Sequence, residues 1–419
     1  MTDVVPCRFA LHRRCCNAPV GDVVRQGEGQ LRLAVFVTSK LFKCGRIHKL
    51  RTHHVGFAVT AAYDSHSLYK QLVAVVLGMG IYLLMDRVLQ SLPLALKLRW
   101  PLVAAASALL AFNVLFGQRI FGAKNWIAIG PITFQPSELV KIVFILAGAA
   151  TLDRLFAKRN LIFTILFSAY CVGCLALMSD FGTALIFFVA FLCIAFLRTG
   201  DLPSIVMITA AAGFAGGIVL RFKPYVLARF AVWRHAWEYA QEEGYQQTRT
   251  MSAVASGGLF GAGPEEAWLK YVGAANTDLV FGVVSEEFGL LLALCAAAAV
   301  ILLGIYALRA AGRSRSSFYA IAACATAAML VFQTTLNVLG SVDLLPLTGV
   351  TFPFVSMGGS SMLSCWGLLA YLQAAAPPPV SVKAAPKAPA PAVKPPQATG
   401  FLDELGVATD DIFGKEDAR

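Results

Sequence analysis

Long apolar runs alternate with short polar segments over most of the 419-residue chain. Each run is about long enough to cross the roughly 30 Å hydrocarbon core of a bilayer as a helix. Backbone amides inside a bilayer find partners only within a helix or a closed barrel, so each run is predicted to be helical. The nine predicted segments are 71–92, 101–116, 137–152, 160–178, 182–197, 202–220, 279–308, 317–340 and 357–376.

The composition indicates the same class, because 58% of the residues are hydrophobic, only 14% are charged and the mean hydropathy is +0.67. The sequence therefore predicts an all-α polytopic membrane protein with about nine to ten transmembrane helices. The formal net charge of +11 does not indicate nucleic-acid binding, since the basic residues lie mostly at segment ends and in the N-terminal region.

Lysine and arginine residues occupy every second loop, and this alternation assigns those loops to the cytoplasm. The residues concerned are Lys97, Arg99, Arg154, Lys158, Arg159, Arg198, Arg309, Arg313 and Arg315. The loops between them then face outward, and residues 221–278 form one large extracellular loop. The C-terminus is predicted to be cytoplasmic.

Three regions are predicted along the chain. Residues 1–54 form an atypical basic segment that cannot supply the extra crossing needed to place the N-terminus in the cytoplasm. A displaced reading frame or start, or a degenerate first helix, would account for the missing crossing. Residues 55–376 form the transmembrane domain, and residues 377–419 form a Pro-, Ala- and Lys-rich disordered tail on the cytoplasmic side.

Glu138 and Lys141 are polar residues inside a predicted span. Because they are three residues apart, they share a helix face and can pair, which lowers the cost of placing either in the membrane. Two interpretations stay open. The pair either reaches water from a helix end, or it lines a polar cavity.

The stretch "NTDLVFGVVSEEFG" at 276–289 opens an apolar run with three carboxylates, Asp278, Glu286 and Glu287. At least one of the two glutamates should point into the bundle and be paired or protonated. Asp278 either acts as a general base for a substrate arriving along the outer leaflet or caps the following helix. Asp180, in "MSDFGTALIFF", is predicted to be a helix N-cap.

Two outward-facing segments are candidates for substrate contact. The loop 221–278 carries the glycine-rich stretch "GYQQTRTMSAVASGGLFGAG" and six cations that either hold a lipid pyrophosphate or form an ordinary charged surface. These cations are Arg221, Lys223, Arg229, Arg234, Arg249 and Lys270. The stretch "LPLTGVTFPFVSMGGSSML" at 345–363 breaks the helical pattern and predicts a polar pocket open to the outer face.

Four blocks, in this order, carry a resemblance to a known family: "GAKNWIAIGPITFQPSELVKI", "SDFGTALIFF", "NTDLVFGVVSEEFG" and "LPLTGVTFPFVSMGGSS". From about residue 56 to 376 the chain resembles the shape, elongation, division and sporulation (SEDS) family of membrane glycosyltransferases, the FtsW/RodA/SpoVE group. The resemblance implies about ten helices in the bacterial cytoplasmic membrane and polymerisation of lipid II into peptidoglycan strands at its outer face.

The resemblance also implies partners and site residues. A monofunctional class B penicillin-binding protein and other divisome or elongasome membrane proteins are the expected partners. Asp278 matches the catalytic acid, and the remaining matched or neighbouring polar positions are substrate-binding or structural candidates: Glu138, Lys141, Gln246, Ser356, Gly358, Gly359 and Ser360. No metal ligand is identified, and a divalent cation, Mg²⁺ or Mn²⁺, stays open as a source of positive charge for the leaving group.

This sequence departs from the family pattern at several positions. Asn276 stands where the family commonly has His, "YVGAAN" lacks the usual Pro-Glu, Ser179 replaces a Pro and Met357 replaces a Tyr. Two other functions stay open on the sequence. The chain either transports the lipid-linked precursor through a polar path that includes buried Glu138, Lys141 and Glu286, or acts as a non-catalytic scaffold that recruits a division or elongation complex through its tail.

Overall fold

The computed structural model describes residues 65–120, 122–129, 132–150, 157–222 and 224–376. The predicted regions 1–54 and 377–419 lie outside these residues. The described chain forms twelve α-helices, three short strands and one 3₁₀ helix. The helices are α1 Ser65–Gln90, α2 Leu92–Phe116, α3 Pro136–Ala149, α4 Ala157–Leu177, α5 Phe181–Thr199, α6 Leu202–Phe222, α7 Pro224–Val232, α8 Tyr245–Gly257, α9 Val280–Phe288, α10 Leu290–Ala311, α11 Ser317–Ser341 and α12 Gly359–Ala375. The strands are β1 Gln118–Ile120, β2 Ala123–Ile129 and β3 Ile132–Phe134, and the 3₁₀ helix is Leu269–Tyr271.

Within the described residues, five helices are long and apolar enough to cross a membrane: α1, α2, α5, α10 and α11. Shorter apolar stretches occupy 162–177 in α4 and 202–217 in α6. A mostly helical chain with several such spans is a multi-pass membrane protein, as the hydropathy pattern predicted.

The predicted span 279–308 is wrong as a single helix, because the chain breaks at Gly289 between α9 and α10. Gly289 has φ +94°, a conformation that residues with a side chain rarely adopt. The first amides of α10 then donate to a loop instead of to a preceding helical turn: Leu290 N bonds Gly258 O at 2.9 Å. The break at Gly289 therefore places the start of α10 against the loop that follows α8.

Residues 118–134 form a small antiparallel sheet, with strand order β1-β2-β3. The hydropathy pattern predicted only helices and loops, so the three strands differ from the all-α prediction. The β2–β3 pair is regular, with Ile127 opposite Phe134 and Ile129 opposite Ile132. Lys124 connects the sheet to the end of α2 by hydrogen bonds: its Nζ donates to Val114 O at 2.8 Å and to Leu115 O at 2.9 Å.

Helix α12 is buried along most of its length and packs against α1, α3 and α11. Its Tyr371 hydroxyl donates to Ile142 O in α3 at 2.8 Å. Helix α1 approaches α12 closely at Gly78, where an added Cβ would lie 2.4 Å from Cδ1 of the buried Trp366. This contact sets the distance between α1 and α12.

The predicted extracellular loop 221–278 contains α7, α8 and the 3₁₀ helix. Between α11 and α12, residues 342–358 have no regular helix and are largely buried. These two irregular regions, together with the small sheet, surround the site described below.

We expect Gly78→Ala to destabilise the bundle by about 1–3 kcal/mol, because the added methyl group must displace the indole of Trp366 in a packed core. Thermal unfolding of the purified protein in detergent measures the effect.

Gly80→Ala is the matched control, since it lies on the same helix with no atom within 4 Å of an added Cβ. It should leave the unfolding temperature unchanged or raise it slightly through better helix propensity. Equal unfolding temperatures for the two variants would contradict the close approach at Gly78.

Candidate functional site

A cavity of about 560 Å³ lies between the sheet, the start of α5, α7, the segment before α9 and the segment 345–351. Most of its lining is apolar. Among the described residues, the charged groups that line it are Asp180, Arg229 and Asp278. Apolar pockets with a few convergent polar groups are typical of sites that bind a ligand.

Asp278 lies in the segment between the 3₁₀ helix and α9, with its side chain at the cavity. It does not cap α9, because that helix has Leu279 as its N-cap residue and no side-chain capping bond. The interpretation of Asp278 as a helix cap is therefore wrong. The side chain is partly accessible from the cavity, while protein surrounds it on the other sides.

Burial raises the pKa of Asp278 from its ordinary value of 3.8 to about 6. Two neighbours oppose this effect, since a hydrogen bond from Thr277 and the positive charge of Arg229 both lower the pKa. The negative charge of Asp180 raises it further. A carboxylate with a pKa of about 6 can accept a proton near neutral pH more readily than an ordinary aspartate.

The backbone around Asp278 is held by side chains from two other parts of the chain. Asn337 of α11 donates through Nδ2 to Asp278 O and to Val350 O, both at 2.8 Å. The Ser356 hydroxyl donates to Thr277 O at 2.6 Å. These bonds fix Asp278 relative to the segments 345–351 and 352–358.

Arg229 of α7 lies next to Asp278 at the cavity. Its Nη1 donates to Leu347 O at 2.5 Å. A Cβ added to Gly349 would lie 3.2 Å from Asp278 Oδ2 and 3.8 Å from Arg229 Nη1, so the two charged groups are no further apart than the sum of these distances. Gly349 has φ +68°, and its missing side chain leaves room between the acid and the cation.

Asp180 is the N-cap of α5, as predicted, because its Oδ1 accepts from Thr183 N at 3.2 Å. It also has a role that the sequence did not indicate. Its Oδ2 accepts from Asn125 Nδ2 at 2.8 Å and from Gln135 Nε2 at 3.0 Å. All three of Asn125, Gln135 and Asp180 line the cavity, so this cluster forms its amide-rich side.

Glu138 and Lys141 form an ion pair of 2.8 Å between Oε1 and Nζ, and both side chains are buried. Lys141 Nζ also donates to Gln333 Oε1 at 2.9 Å, and Gln333 Nε2 donates to Thr351 O and Oγ1, both at 2.9 Å. The interpretation as a pair reaching water is therefore wrong. The pair does not line the cavity either. It contacts Gln333, which in turn holds Thr351 in the cavity wall.

Glu286 and Glu287 are both buried, which agrees with the expectation that at least one points inward. The Glu286 carboxylate accepts from the backbone amides of Trp268 and Leu269, each at 3.0 Å. It therefore fixes the start of the 3₁₀ helix that precedes Asp278. Neither carboxyl oxygen of Glu287 has a hydrogen-bond partner among the described residues.

Of the site residues that the resemblance indicated, the cavity lining includes Asp278 alone, and of the six loop cations it includes Arg229. Ser360 Oγ accepts from Gln135 N at 3.3 Å, and Gly358 is the N-cap position of α12, one residue before Gly359. Gln246 Nε2 donates to Gly273 O at 3.0 Å. These residues position the segments that form the cavity and do not face into it.

The sequence predicted a polar pocket at 345–363 without singling out Thr348 or Gly349 in it, and it gave no cavity role to Asn125 or Gln135. All four lie within the quoted blocks, but nothing in their type or spacing distinguishes them from turn residues. The backbone of the sheet and of the segment 345–351 brings them together, and this arrangement has no periodic signal in the sequence.

The described residues do not offer a donor set for a protein-held divalent cation. No group of three or more His, Cys, Asp or Glu among them could hold a metal ion. The oxygens of Asp180 accept hydrogen bonds from three N–H groups, an arrangement that suits a hydrogen-bonded carboxylate better than a metal ligand.

A family model described as a cell cycle protein, for FtsW, RodA and SpoVE, matches residues 32–377. The match begins upstream of residue 56, where sequence analysis placed the start of the likeness. Part of the basic N-terminal segment therefore belongs to the matched region.

Individual proteins of this group are similar over most of the chain. A probable peptidoglycan glycosyltransferase FtsW of Pseudomonas fluorescens is 29% identical over 75% of this chain and 80% of its own length. A chain from a solved peptidoglycan synthase complex, described as coordinating polymerization and crosslinking, has a TM-score of 0.63 at 28% identity and covers 77% of this chain and 93% of that one. The rod shape determining protein RodA of Thermus thermophilus has a TM-score of 0.57 at 26% identity, covering 77% and 92%.

We expect Lys141→Met to destabilise the protein by about 3–5 kcal/mol, because it leaves the buried charge of Glu138 without its partner. Thermal unfolding in detergent measures this effect. The double variant Glu138→Gln/Lys141→Met removes both charges and should recover part of the loss. Lys97→Met, at an exposed position, should unfold like the unmodified protein. A Lys141→Met protein as stable as the Lys97→Met control would contradict the role assigned to the pair.

Proposed function

The chain belongs to the FtsW/RodA/SpoVE family, and on this premise we propose that it is a peptidoglycan glycosyltransferase that polymerises lipid II into glycan strands. The observation that carries the proposal is the Asp278 carboxyl group, held at an apolar cavity beside the guanidinium of Arg229. A general base, a cation and an apolar wall are the parts that glycosyl transfer between two lipid-linked sugars requires.

In this proposal Asp278 is the general base. Its carboxylate takes the proton from the 4-hydroxyl of the GlcNAc of an acceptor lipid II, and the hydroxyl oxygen forms a new bond to the anomeric carbon of the donor's MurNAc. The bond from that carbon to the pyrophosphate breaks, and its electron pair stays on the leaving oxygen. The products are a longer glycan and undecaprenyl pyrophosphate, and Asp278 then releases its proton to solvent.

The surroundings of Asp278 suit this task. With a pKa of about 6, Asp278 is ionised in most molecules at neutral pH. This pKa is also closer to the operating pH than that of an ordinary aspartate, which favours general-base catalysis. Asn337 and Ser356 hold the neighbouring backbone through main-chain carbonyls, so the carboxyl group stays in place during the reaction.

The membrane arrangement proposed here has nine to ten crossings in the bacterial cytoplasmic membrane, with residues 221–278 outside and the C-terminus in the cytoplasm. Five long apolar helices and two shorter apolar stretches in the described residues support it, together with the alternation of basic loops. With this orientation the cavity belongs to the outer side, where a lipid-linked sugar can reach Asp278. Residues 377–419 are proposed to form the cytoplasmic tail.

A monofunctional class B penicillin-binding protein is the proposed partner, and further membrane proteins of the division or elongation machinery are proposed to join it. The similarity to a chain of a peptidoglycan synthase complex that coordinates polymerization and crosslinking supports such a partner. Crosslinking acts on the strands that polymerisation makes, so the two activities benefit from being joined.

The geometry favours polymerisation over transport of the lipid-linked precursor. A transport path would have the buried groups Glu138, Lys141 and Glu286 line a polar passage. None of the three lines the cavity: Glu138 and Lys141 contact each other and Gln333, and Glu286 accepts from the amides of Trp268 and Leu269.

We expect Asp278→Asn to reduce polymerisation of purified lipid II by about 10²–10⁴-fold, because it removes the base while keeping the shape of the side chain. Gel separation of the glycan products measures the activity. The variant should unfold at or above the temperature of the unmodified protein at pH 7.5, since Asn carries no buried charge. Polymer synthesis at the unmodified rate would remove Asp278 from the mechanism.

The rate should also depend on pH with an acid limb near pH 6. Because burial raises the pKa of Asp278 to about 6, the carboxylate is the main form above this pH and becomes protonated as the pH falls below it. We expect kcat/KM to fall about tenfold between pH 7 and pH 5. Initial rates with lipid II across this range test the expectation, with thermal unfolding at each pH as the control for a folded protein. A limb near pH 4 would contradict the raised pKa.

A further inference from the structure

Six cations of the loop 221–278 were candidates for holding a pyrophosphate. Lys223 lies outside the described residues, and the structure distinguishes among the other five. In the described part of the chain, Arg229 is the one cation that lines the cavity with Asp278. Other members of the set have different surroundings. Arg249 lies over the ring of Tyr245 at 5.1 Å, and Lys270 Nζ donates to Pro264 O.

Arg229 comes from a helix whose cavity face is otherwise apolar. Val226, Phe230 and Trp233 line the cavity at positions three residues before and one and four residues after Arg229. Val226 and Phe230 fall within about 100° of Arg229 around α7, because 3.6 residues make one turn, and Trp233 is the first residue after the helix. Val226 is buried, whereas Phe230 is 45% exposed and can contact a ligand. A cation beside an apolar strip matches a molecule with an anionic head and a hydrocarbon chain.

The charge balance of the cavity gives a second reason to assign an anionic ligand to Arg229. Asp180 and Asp278 are both acidic, so an anionic ligand entering the cavity is repelled unless a cation lies near it. The charge of Asp180 is stabilised by the backbone amide of Thr183 and the amide groups of Asn125 and Gln135. Arg229 supplies the positive charge, and a guanidinium group binds phosphate oxygens through two parallel N–H donors.

The position of Arg229 next to Asp278 also fits the reaction. The hydroxyl that Asp278 deprotonates and the pyrophosphate that departs are bonded to the same anomeric carbon during the transfer, so base and cation must serve one reacting centre. The gap at Gly349 lies between them, with no side chain to obstruct it.

We infer that Arg229 binds the pyrophosphate of the donor lipid, with the prenyl chain along Phe230 and Trp233, and stabilises the negative charge that develops on the leaving oxygen. This inference rests on the proposed function and adds to it the residue that receives the leaving group. It makes Arg229 a catalytic residue through contact with the substrate, in addition to its hydrogen bond with Leu347 O.

Direct binding of a prenyl pyrophosphate tests the inference independently of turnover. The full-length protein in nanodiscs is titrated with farnesyl pyrophosphate, farnesyl monophosphate, farnesol and inorganic pyrophosphate. We expect the unmodified protein to bind farnesyl pyrophosphate most tightly. Arg229→Gln should weaken this binding by about tenfold or more and leave farnesol binding unchanged, because a hydrogen bond to a charged group is lost. Arg229→Lys should be intermediate, since a lysine provides charge without the paired donors.

Two control variants distinguish the effect of the Arg229 charge on binding from the effect of losing a contact that holds α7 in place. Arg234→Gln removes an exposed cation from the segment just after α7 and should bind farnesyl pyrophosphate like the unmodified protein. Trp233→Phe removes the hydrogen bond from Trp233 Nε1 to Leu344 O, which also holds α7 in place. Its preference for pyrophosphate over farnesol should persist. A loss of that preference equal to the loss in Arg229→Gln would assign Arg229 a supporting role and overturn the inference.

Unchanged binding of farnesyl pyrophosphate in Arg229→Gln, or an equal loss of farnesol binding, would also overturn it. Tight binding of inorganic pyrophosphate alone would contradict the part assigned to the prenyl chain. Asp278→Asn separates this inference from the proposed function, because it should retain pyrophosphate binding while losing polymerisation. If the unmodified protein binds farnesyl pyrophosphate through Arg229 but makes no polymer from lipid II, the proposed function fails and the binding site stands.

Discussion

Irregular backbone that is buried between helices needs hydrogen-bond partners from other parts of the protein, because little water reaches it. This constraint governs the segments 274–279 and 342–358, which lie among the helices without forming one. Asn337 meets it for both segments at once, since one amide group donates to Asp278 O and Val350 O. Gln333 donates to the backbone carbonyl of Thr351, and the Ser356 hydroxyl donates to the backbone carbonyl of Thr277. The position of the cavity depends on these bonds.

The same arrangement explains why buried charge is tolerated away from the cavity. Lys141 contacts both Glu138 and Gln333, so the ion pair is continuous with the polar contacts that reach Thr351. A buried ion pair contributes little net stability but penalises any packing that separates its members. We interpret the pair as a constraint on how α3 and α11 meet behind the cavity wall.

The sequence predicted the class of protein, most helix positions and the proposed base, because each has a local signal. Apolar runs predicted the spans, and the acid at 278 stood out as a charge in an apolar region. The break at Gly289 was missed, since it depends on backbone contact with the distant segment of Leu259. The sheet was missed because its strands, which pair locally within residues 118–134, are too short to give a clear alternating pattern. Arg229 was one of six equivalent cations in the sequence, and its distinction comes from the face of α7 that meets the cavity. The amide cluster around Asp180 was missed for a similar reason, because it joins residues 45 and 55 positions apart.

Several contacts that shape the site end on main-chain atoms, and this has a consequence for evolutionary drift. Met357 N donates to Asn276 O at 2.8 Å, a bond that needs only a residue other than proline at position 357. The resemblance gives both as positions where the side chain differs from the residue common in the family. Side chains at positions 276 and 357 can therefore change while the path of the backbone next to Asp278 stays the same.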